Sequence, residues 1–284
     1  MSRLGVFLFA TDYSISPREA GLAAESRDLE SLFIPEHTHI PTARKTPYPG
    51  GGDLPREYAH IPDPFVELAA VAAVTERIKL GTGICLIPEH DPIVLGKTIA
   101  TLDQVAQGRL ILGIGAGWNQ EELEDHGNQF QSRWPITREY VLAMRTMWNE
   151  QEPSFKGEFV DFEPMWHFPK PARAGGPPVL LGAQSKWAYE RVVDYCDGWI
   201  PISRDDDVTP LAQGLEEIRG QAEKVGRDMA ELDLSCFVME PNEDHCRALL
   251  DLGFGRLLCW LGPEEPDSAI KRLDEFARLA EKLG

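Results

Sequence analysis

The segment that decides the fold covers residues 78–118 and reads IKLGTGICLIPEHDPIVLGKTIATLDQVAQGRLILGIGAGW. It begins with an apolar strand, continues as an amphipathic helix that starts after Asp91 and Pro92, and ends with a second apolar strand. Two buried strands joined by a helix form a βαβ unit, which implies a parallel sheet. Both strands contain glycine near their carboxyl ends, where parallel α/β folds bind their ligands.

The rest of the chain repeats this alternation of strands and helices. The predicted strands cover residues 4–10, 31–34, 79–86, 109–114, 178–182, 198–202, 233–239 and 255–261. The predicted helices cover residues 17–29, 63–75, 91–107, 134–149, 186–196, 209–225, 242–252 and 267–283. Eight strands that alternate with helices predict an α/β fold of the (β/α)8 TIM barrel type, with one domain over residues 1–284.

Two long irregular segments interrupt the alternation. Residues 35–62 follow strand 2 and contain TPYPGGGDLP, while residues 151–177 precede strand 5 and contain SFKGEFVDF. Loops of this length in a compact domain are usually functional or disordered. The first is an extended loop at the ligand-binding end and is a candidate lid. The second is an irregular insertion that follows a helix at the opposite end, and part of it is expected to form a hairpin.

The composition of the chain limits the kinds of molecule that it is expected to bind. The net charge of −18 opposes binding to nucleic acid or to anionic membranes, and no run of about 18 apolar residues is present to span a membrane. The N-terminal apolar run is too short for a signal peptide. The five cysteines are widely spaced and contain no CxxC pair, which favours buried thiols in a reducing compartment. We expect a cytoplasmic protein that acts on a small molecule.

Several motifs resemble the bacterial luciferase-like superfamily of barrel oxidoreductases. They are SLFIPEH (31–37), the block RIKLGTGICLIPEHDPIVLGKTIATLDQVAQGRLILGIGAGW (77–118), PPVLLGA (177–183) and DGWIPI (197–202). The loop PEHTHIP with TPYPGGGDLPREY is similar to an actinobacterial branch of probable coenzyme F420-dependent oxidoreductases. This resemblance implies hydride transfer between coenzyme F420 and a small organic substrate at the barrel mouth. It also implies a homodimer, and FMN is the alternative cofactor.

The resemblance assigns the central chemical role to His37, which closes strand 2. In the similar deazaflavin enzymes, an acidic residue followed by histidine stands at this strand end. The histidine acts there as acid or base beside the reactive carbon, a role that suits a side chain with a pKa near neutrality. Glu36, which stands where aspartate is common, is expected to contact the cofactor. The alternative is that His37 is an ordinary polar loop residue.

The resemblance also assigns a supporting role to the end of strand 3. Related enzymes carry a non-proline cis peptide bond at the position of Gly83 and Ile84, which forms a bulge behind the flat cofactor ring. Ile84 would then be the side chain that supports one face of the ring. The alternative is that Gly83 only allows close packing of neighbouring strands.

The ends of strands 4 and 5 supply the remaining expected cofactor contacts. Glycine at these ends lets a ligand approach the backbone closely, and the helix N-terminus after strand 5 can hold a phosphate group. A tight βα turn is the alternative in both places. In similar sugar-phosphate dehydrogenases, glutamate stands at the position of Trp118, which argues against a phosphosugar substrate. The residues concerned are Gly115, Gly117, Trp118, Gly182, Ala183, Gln184 and Ser185.

Other chemistries are less well supported by the sequence. His37-Thr38-His39 has the spacing of a barrel metal motif, but the ends of strands 5, 6 and 8 supply no histidine, so no metal is expected. Three functions therefore stay open. They are an F420-dependent oxidoreductase, an FMN-dependent monooxygenase of the same fold, and a flavin-binding protein without catalytic activity.

Overall fold

The computed structural model describes residues 3–284. Its strands, in chain order, are β1 (Leu4–Leu8), β2 (Ser31–Ile34), β3 (Lys79–Leu86), β4 (Leu110–Gly115), β5 (Phe155–Lys156), β6 (Asp161–Phe162), β7 (Val179–Leu181), β8 (Gly198–Trp199), β9 (Ile202–Ser203), β10 (Asp233–Val238) and β11 (Arg256–Leu261). Its helices are α1 (Pro17–Ser26), α2 (Pro64–Ala72), α3 (Pro92–Val105), α4 (Gln120–Asp125), α5 (Arg133–Asn149), α6 (Lys186–Tyr195), α7 (Thr209–Val225), α8 (Glu243–Asp251) and α9 (Pro266–Leu283).

The strands close into a parallel barrel. Neighbouring strands follow the order β1, β2, β3, β4, β7, β8, β10 and β11, and β11 pairs with β1 to complete the ring. Helices separate successive strands and cover the outside of the barrel. The predicted (β/α)8 TIM barrel is therefore confirmed. All the strand carboxyl ends meet at one mouth, where this fold carries its ligand sites.

The sixth strand differs from its prediction. Residues 198–202 were expected to form one strand, but the structure has two short strands, β8 and β9, with Ile200 and Pro201 between them. Proline has no N–H group to donate to the ladder, which explains the interruption. Two backbone hydrogen bonds keep the interrupted segment attached to its neighbours. Ile200 N donates to Leu181 O at 3.0 Å, and Phe237 N donates to Pro201 O at 2.8 Å.

Local sequence signals fix where α2 and α3 begin. The side chain of Asp63 accepts a hydrogen bond from Val66 N, and Asp91 accepts bonds from Ile93 N and Val94 N. Each cap satisfies N–H groups that have no partner inside the helix, and a proline follows each cap at the first helical position. These are the caps that the sequence predicted.

Two apolar layers hold the barrel together. The larger layer lies between the strands and the surrounding helices. The smaller layer fills the interior of the barrel with Phe7, Phe33, Ile111, Leu180, Ile200, Phe237 and Leu258. Gly81 leaves room for this filling, because a Cβ atom there would lie 2.3 Å from Cε1 of Phe33. The interior is therefore packed below the mouth.

Charged side chains at the amino ends of the strands make contacts that hold the barrel together. Arg109 donates hydrogen bonds to the carbonyl oxygens of Ala72, Thr75 and Ile78, which ties together the segments on either side of it. Arg109 therefore has a structural role at this end of the barrel. At the same end, buried Arg256 pairs with Glu30 at 2.8 Å.

The two irregular segments take different paths. Residues 35–62 contain a short 3-10 helix, Arg56–His60, and contribute to the barrel mouth. In the second segment, β5 and β6 pair as an antiparallel hairpin, as the sequence predicted. Within residues 3–284, no helix has both the length and the apolar character needed to cross a membrane.

Candidate active site

A cavity of about 400 Å³ opens at the carboxyl ends of the strands. This volume lies within the range of about 300–1,000 Å³ that is usual for small-molecule sites. Most of its wall is apolar or aromatic. Of the expected site residues, the lining includes Glu36, His37, Gly83, Ile84, Gly115, Gly117, Trp118, Gly182 and Ala183. Expected residues from four separate strand ends therefore surround one space.

The floor of the cavity is a bulge in β3. The Gly83–Ile84 peptide bond is cis, and the register with β4 shifts between Thr82 and Cys85. Both features match the prediction from the resemblance. The Ile84 side chain occupies space that two other glycines leave free. A Cβ atom at Gly115 would lie 2.0 Å from Ile84 Cδ1, and one at Gly182 would lie 2.6 Å from Ile84 Cγ2.

Aromatic rings form the wall beside His37. The ring centroid of His37 lies 5.4 Å from that of Tyr58 and 5.7 Å from that of Trp118. Tyr48 completes this wall, with its hydroxyl 3.1 Å from the hydroxyl of Tyr58. Burial and the hydrogen bond with Tyr48 raise the pKa of Tyr58, so the Tyr58 hydroxyl keeps its proton near pH 7. Aromatic side chains therefore form the part of the wall next to the imidazole.

A buried carboxylate orients His37. Its Nδ1 lies 2.8 Å from Glu122 Oε2, and the Glu122 side chain is fully buried. The other Glu122 oxygen accepts a hydrogen bond from Thr38 N at 3.0 Å, and Asn119 Nδ2 donates to Oε2 at 3.3 Å. Because Nδ1 is engaged, Nε2 is the nitrogen left for a ligand. Among the described residues, Nε2 has no hydrogen-bond partner.

Glu36 has a different setting from the one expected. Both its oxygens are engaged inside the wall, since Oε2 accepts a hydrogen bond from Leu86 N at 2.6 Å and Oε1 lies 2.9 Å from His90 Nε2. Burial lowers the pKa of His90, but the hydrogen bond and charge of Glu36 outweigh it and raise that pKa. Glu36 thus ties the end of β3 to the loop after β2, and its contact with a cofactor stays a prediction. Cys85 Sγ lies within 4.8 Å of the same two side chains.

The expected phosphate-binding residues after strand 5 divide into two pairs. Gly182 and Ala183 line the cavity, whereas Gln184 and Ser185 are exposed and lie outside its lining. Gln184 Oε1 accepts a hydrogen bond from Ile202 N at 3.1 Å. Ser185 stands at the N-cap of α6 without a side-chain hydrogen bond to that helix. Phosphate binding by this turn stays a prediction.

The loop 35–62 is fastened over the cavity by Glu121. The Glu121 carboxylate accepts hydrogen bonds from Lys45 N at 2.7 Å and from Thr46 Oγ1 at 2.6 Å. The Thr46 hydroxyl bond, together with backbone N–H groups of the loop, lowers the pKa of Glu121 to about 2. The guanidinium of Arg44 lies 5.5 Å from the ring centroid of Trp118. Closure of this loop as a lid stays a hypothesis.

Sequence reasoning missed several residues of the site. It assigned no individual role to Glu122 or to Glu89, although both glutamates are buried and lie close together. A signal was available, because the tetrapeptide IPEH occurs twice, at 34–37 and at 87–90. The cavity lining also contains residues outside the quoted motifs, namely Phe9, Trp134, Arg204, Met239 and Trp260.

Comparisons with known proteins identify the family. Residues 17–246 match the family model described as luciferase-like monooxygenase. An uncharacterised protein of Mycobacterium tuberculosis (strain H37Rv) is 38% identical over 282 residues, which cover 98% of each chain. The F420-dependent glucose-6-phosphate dehydrogenase of Nakamurella multipartita is 28% identical over 93% of this chain and 74% of its own length.

A solved structure shows the same fold. It is an F420-dependent secondary alcohol dehydrogenase in complex with an F420–acetone adduct, with a TM-score of 0.77 at 16% identity. The match covers 98% of this chain and 99% of that chain. The family match and the 38% relative span most of this sequence. This chain therefore belongs to the luciferase-like monooxygenase family, among whose members are F420-dependent oxidoreductases.

Proposed function

We propose that the protein is an oxidoreductase that transfers a hydride between coenzyme F420 and a small organic substrate at the barrel mouth. The observation that carries this proposal is the position of His37, which lines the same cavity as Ile84 while Glu122 holds Nδ1 and leaves Nε2 without a partner among the described residues. The relative from Nakamurella multipartita, which is named as F420-dependent, supports the choice of cofactor.

The residues present fit such a cofactor. A flat ring needs an even apolar floor and backbone without obstructing Cβ atoms, and the Ile84 bulge with Gly115 and Gly182 provides both. The anionic tail needs donors, and Arg204 lines the cavity together with Gly182 and Ala183 of the turn that precedes α6. The ring would rest on Ile84, with its tail directed toward Arg204 and α6.

The protein's own part in the reaction concerns a proton. When bound, coenzyme F420 supplies or accepts the hydride. His37 Nε2 holds or takes the proton that accompanies it, and the aromatic wall of Tyr48, Tyr58 and Trp118 excludes water from that place. Trp118 in this wall, at the position where similar sugar-phosphate dehydrogenases have glutamate, argues against a phosphosugar substrate.

A binding titration tests the choice of cofactor. The apo protein is titrated with coenzyme F420 and separately with FMN, and quenching of tryptophan fluorescence reports binding because Trp118, Trp134 and Trp260 line the cavity. We expect tighter binding of coenzyme F420. If neither coenzyme F420 nor FMN binds, the assignment as a deazaflavin- or flavin-dependent oxidoreductase is refuted.

A histidine variant tests the role of His37. We expect His37→Gln to retain the affinity for coenzyme F420 but to lower turnover by about 10²–10⁴-fold, the usual contribution of a general acid or base. His60→Gln is the matched control, because His60 pairs with Asp12 outside the cavity lining. Equal turnover of the two variants would contradict a chemical role for His37.

The second candidate is an FMN-dependent monooxygenase, which the description of the matching family favours. Tighter binding of FMN together with oxygen-dependent turnover would establish it instead. Binding without turnover, unchanged in His37→Gln, would indicate a flavin-binding protein without catalytic activity. Each outcome is distinct from the result expected for coenzyme F420.

We also propose a cytoplasmic homodimer. The five cysteines are buried as free thiols, which suits a reducing compartment. Val66 of α2 and Val94 and Val105 of α3 are exposed along one groove, which offers an apolar surface to a second copy. Light scattering after size-exclusion chromatography tests the dimer, and a monomer in the Val66→Glu variant would locate the interface.

A further inference from the structure

Three buried glutamates meet behind His37. They are Glu36 after β2, Glu89 after β3 and Glu122 in α4. Two of them have N–H donors, since Glu36 accepts a bond from Leu86 N and Glu122 accepts one from the backbone of the loop after β2. Glu89 differs from both. Its Oε1 is buried and has no hydrogen-bond donor among the described residues.

Glu89 faces another carboxylate. Its side chain is 1% exposed, and its Oε2 accepts a hydrogen bond from Thr38 Oγ1 at 3.3 Å. The backbone N–H group of the same Thr38 donates to Glu122 Oε1 at 3.0 Å, so one residue bonds to both carboxylates. Two neighbouring buried carboxylates repel each other when both are charged, and one shared proton converts the repulsion into a hydrogen bond. Burial, followed by the charges of Glu122 and Glu36, raises the pKa of Glu89 to about 9.

Glu89 and Glu122 are linked by polar contacts both to the cavity and to the protein surface. Toward the cavity, Glu122 Oε2 lies 2.8 Å from His37 Nδ1. Toward solvent, Thr38 Oγ1 lies 2.7 Å from His126 Nε2, and the His126 side chain is 30% exposed. A chain of polar groups therefore runs from the surface to the imidazole.

We propose that Glu89 holds a proton that it shares with Glu122, so that the pair presents one negative charge to His37. Glu89 is thereby a positioning residue that acts on His37 through Glu122. Its proton exchanges with solvent through the Thr38 hydroxyl and His126. The catalytic use of this arrangement rests on the proposed function, whereas the shared proton itself does not.

Other titratable groups also surround Glu89 and Glu122, and their charges act on the same pair. Burial and the neighbouring rings of His39 and His90 lower the pKa of His126, so it is neutral in the alkaline range where Glu89 ionises. The titratable groups that face the pair from the loop after β2, from the turn after β3 and from α4 are Glu36, His37, His39, His90, Asp125 and His126.

The shared proton should make the surroundings of His37 depend on pH. Because the pKa of Glu89 is raised, its proton is present at neutral pH and is lost as pH rises through about 9. The pair then carries one more negative charge, which changes the electric field at the His37 ring. His37 should therefore report the ionisation of Glu89, although the two side chains make no direct hydrogen bond.

Two spectroscopic measurements test the shared proton without any cofactor. In infrared spectra at pH 7, the carbonyl band of a protonated carboxylic acid should be lost in Glu89→Gln and should remain in Glu124→Gln, an exposed control on the same helix as Glu122. In ¹⁵N spectra of labelled histidine, the His37 signal should show an inflection near pH 9 that Glu89→Gln removes and Glu89→Asp keeps.

The outcomes separate this inference from the proposed function. An infrared band that is absent in the wild type, or that persists in Glu89→Gln, would overturn the shared proton. A His37 signal without an alkaline inflection in the wild type would overturn the coupling even if the variants failed to fold. Failure to bind coenzyme F420 would refute the proposed function and leave both spectroscopic tests valid.

Discussion

Substitution of Gly115 by alanine tests the construction of the cavity floor. The added Cβ atom would lie 2.0 Å from Ile84 Cδ1 and 3.3 Å from Ile84 Cγ1. Carbon atoms in favourable contact are about 3.5–4.0 Å apart, so the terminal methyl group of Ile84 has to move by well over 1 Å. It can move only into the cavity or into the interior layer below. Gly115→Ala should therefore lower both stability and cofactor affinity.

The size of the effect follows from the chemistry of overpacking. Extra methyl groups in a packed interior cost about 1–3 kcal/mol. Ile84→Val removes Cδ1, the atom in the clash, at its own cost of about 0.5–1.5 kcal/mol. In the Ile84→Val background, Gly115→Ala should be nearly neutral. The coupling free energy between the two positions is therefore expected to be about 1–3 kcal/mol.

Urea unfolding of the single and double variants measures this coupling, with the midpoint and slope fitted separately. Gly182→Ala is the matched control. Its Cβ atom would meet Ile84 Cγ2 at 2.6 Å, and valine keeps that atom, so Ile84→Val should not rescue Gly182→Ala. If Gly115→Ala costs the same in both backgrounds within about 0.5 kcal/mol, the packing explanation is wrong.

Three further predictions concern charged groups. Because the pKa of Glu121 is lowered to about 2, its bonds to Thr46 should hold above pH 4.5 and weaken as pH falls below it, which hydrogen exchange of the loop amides would detect. Arg256→Met should cost about 3 kcal/mol of unfolding free energy in urea titrations, the lower end for a broken buried pair, because Glu30 then keeps Lys79 as its cationic partner. Arg204→Gln should weaken binding of coenzyme F420 and reduce its salt dependence, as fluorescence titrations at several ionic strengths would show.

Local signals account for the part of the fold that the sequence predicts. The caps at Asp63 and Asp91 and the apolar strand patterns depend on neighbours within a few residues, and all appear in the structure. The division of the sixth strand around Pro201 was missed because a short apolar run conceals the loss of a single donor. The cis bond at Gly83–Ile84 was predicted only through resemblance to known enzymes.

The contacts behind the cavity were not predictable in the same way. His37 and Glu122 are 85 residues apart, and Glu36 and His90 are 54 residues apart. Periodicity and propensity describe single elements, whereas these pairs depend on how loops from different strands meet at the mouth. Even correct strand assignments therefore left the partners of His37 open.

The two IPEH segments show how far local sequence determines chemistry. Glu36 of the first segment accepts a backbone N–H bond and pairs with His90 of the second. Glu89 of the second segment accepts a hydrogen bond from the Thr38 hydroxyl and lies 3.8 Å from His126 Nε2, and burial with the charges of Glu122 and Glu36 raises its pKa to about 9. Identical tetrapeptides thus place identical glutamates in opposite electrostatic environments. The difference comes from α4, since that helix supplies the carboxylate that Glu89 faces and that orients His37.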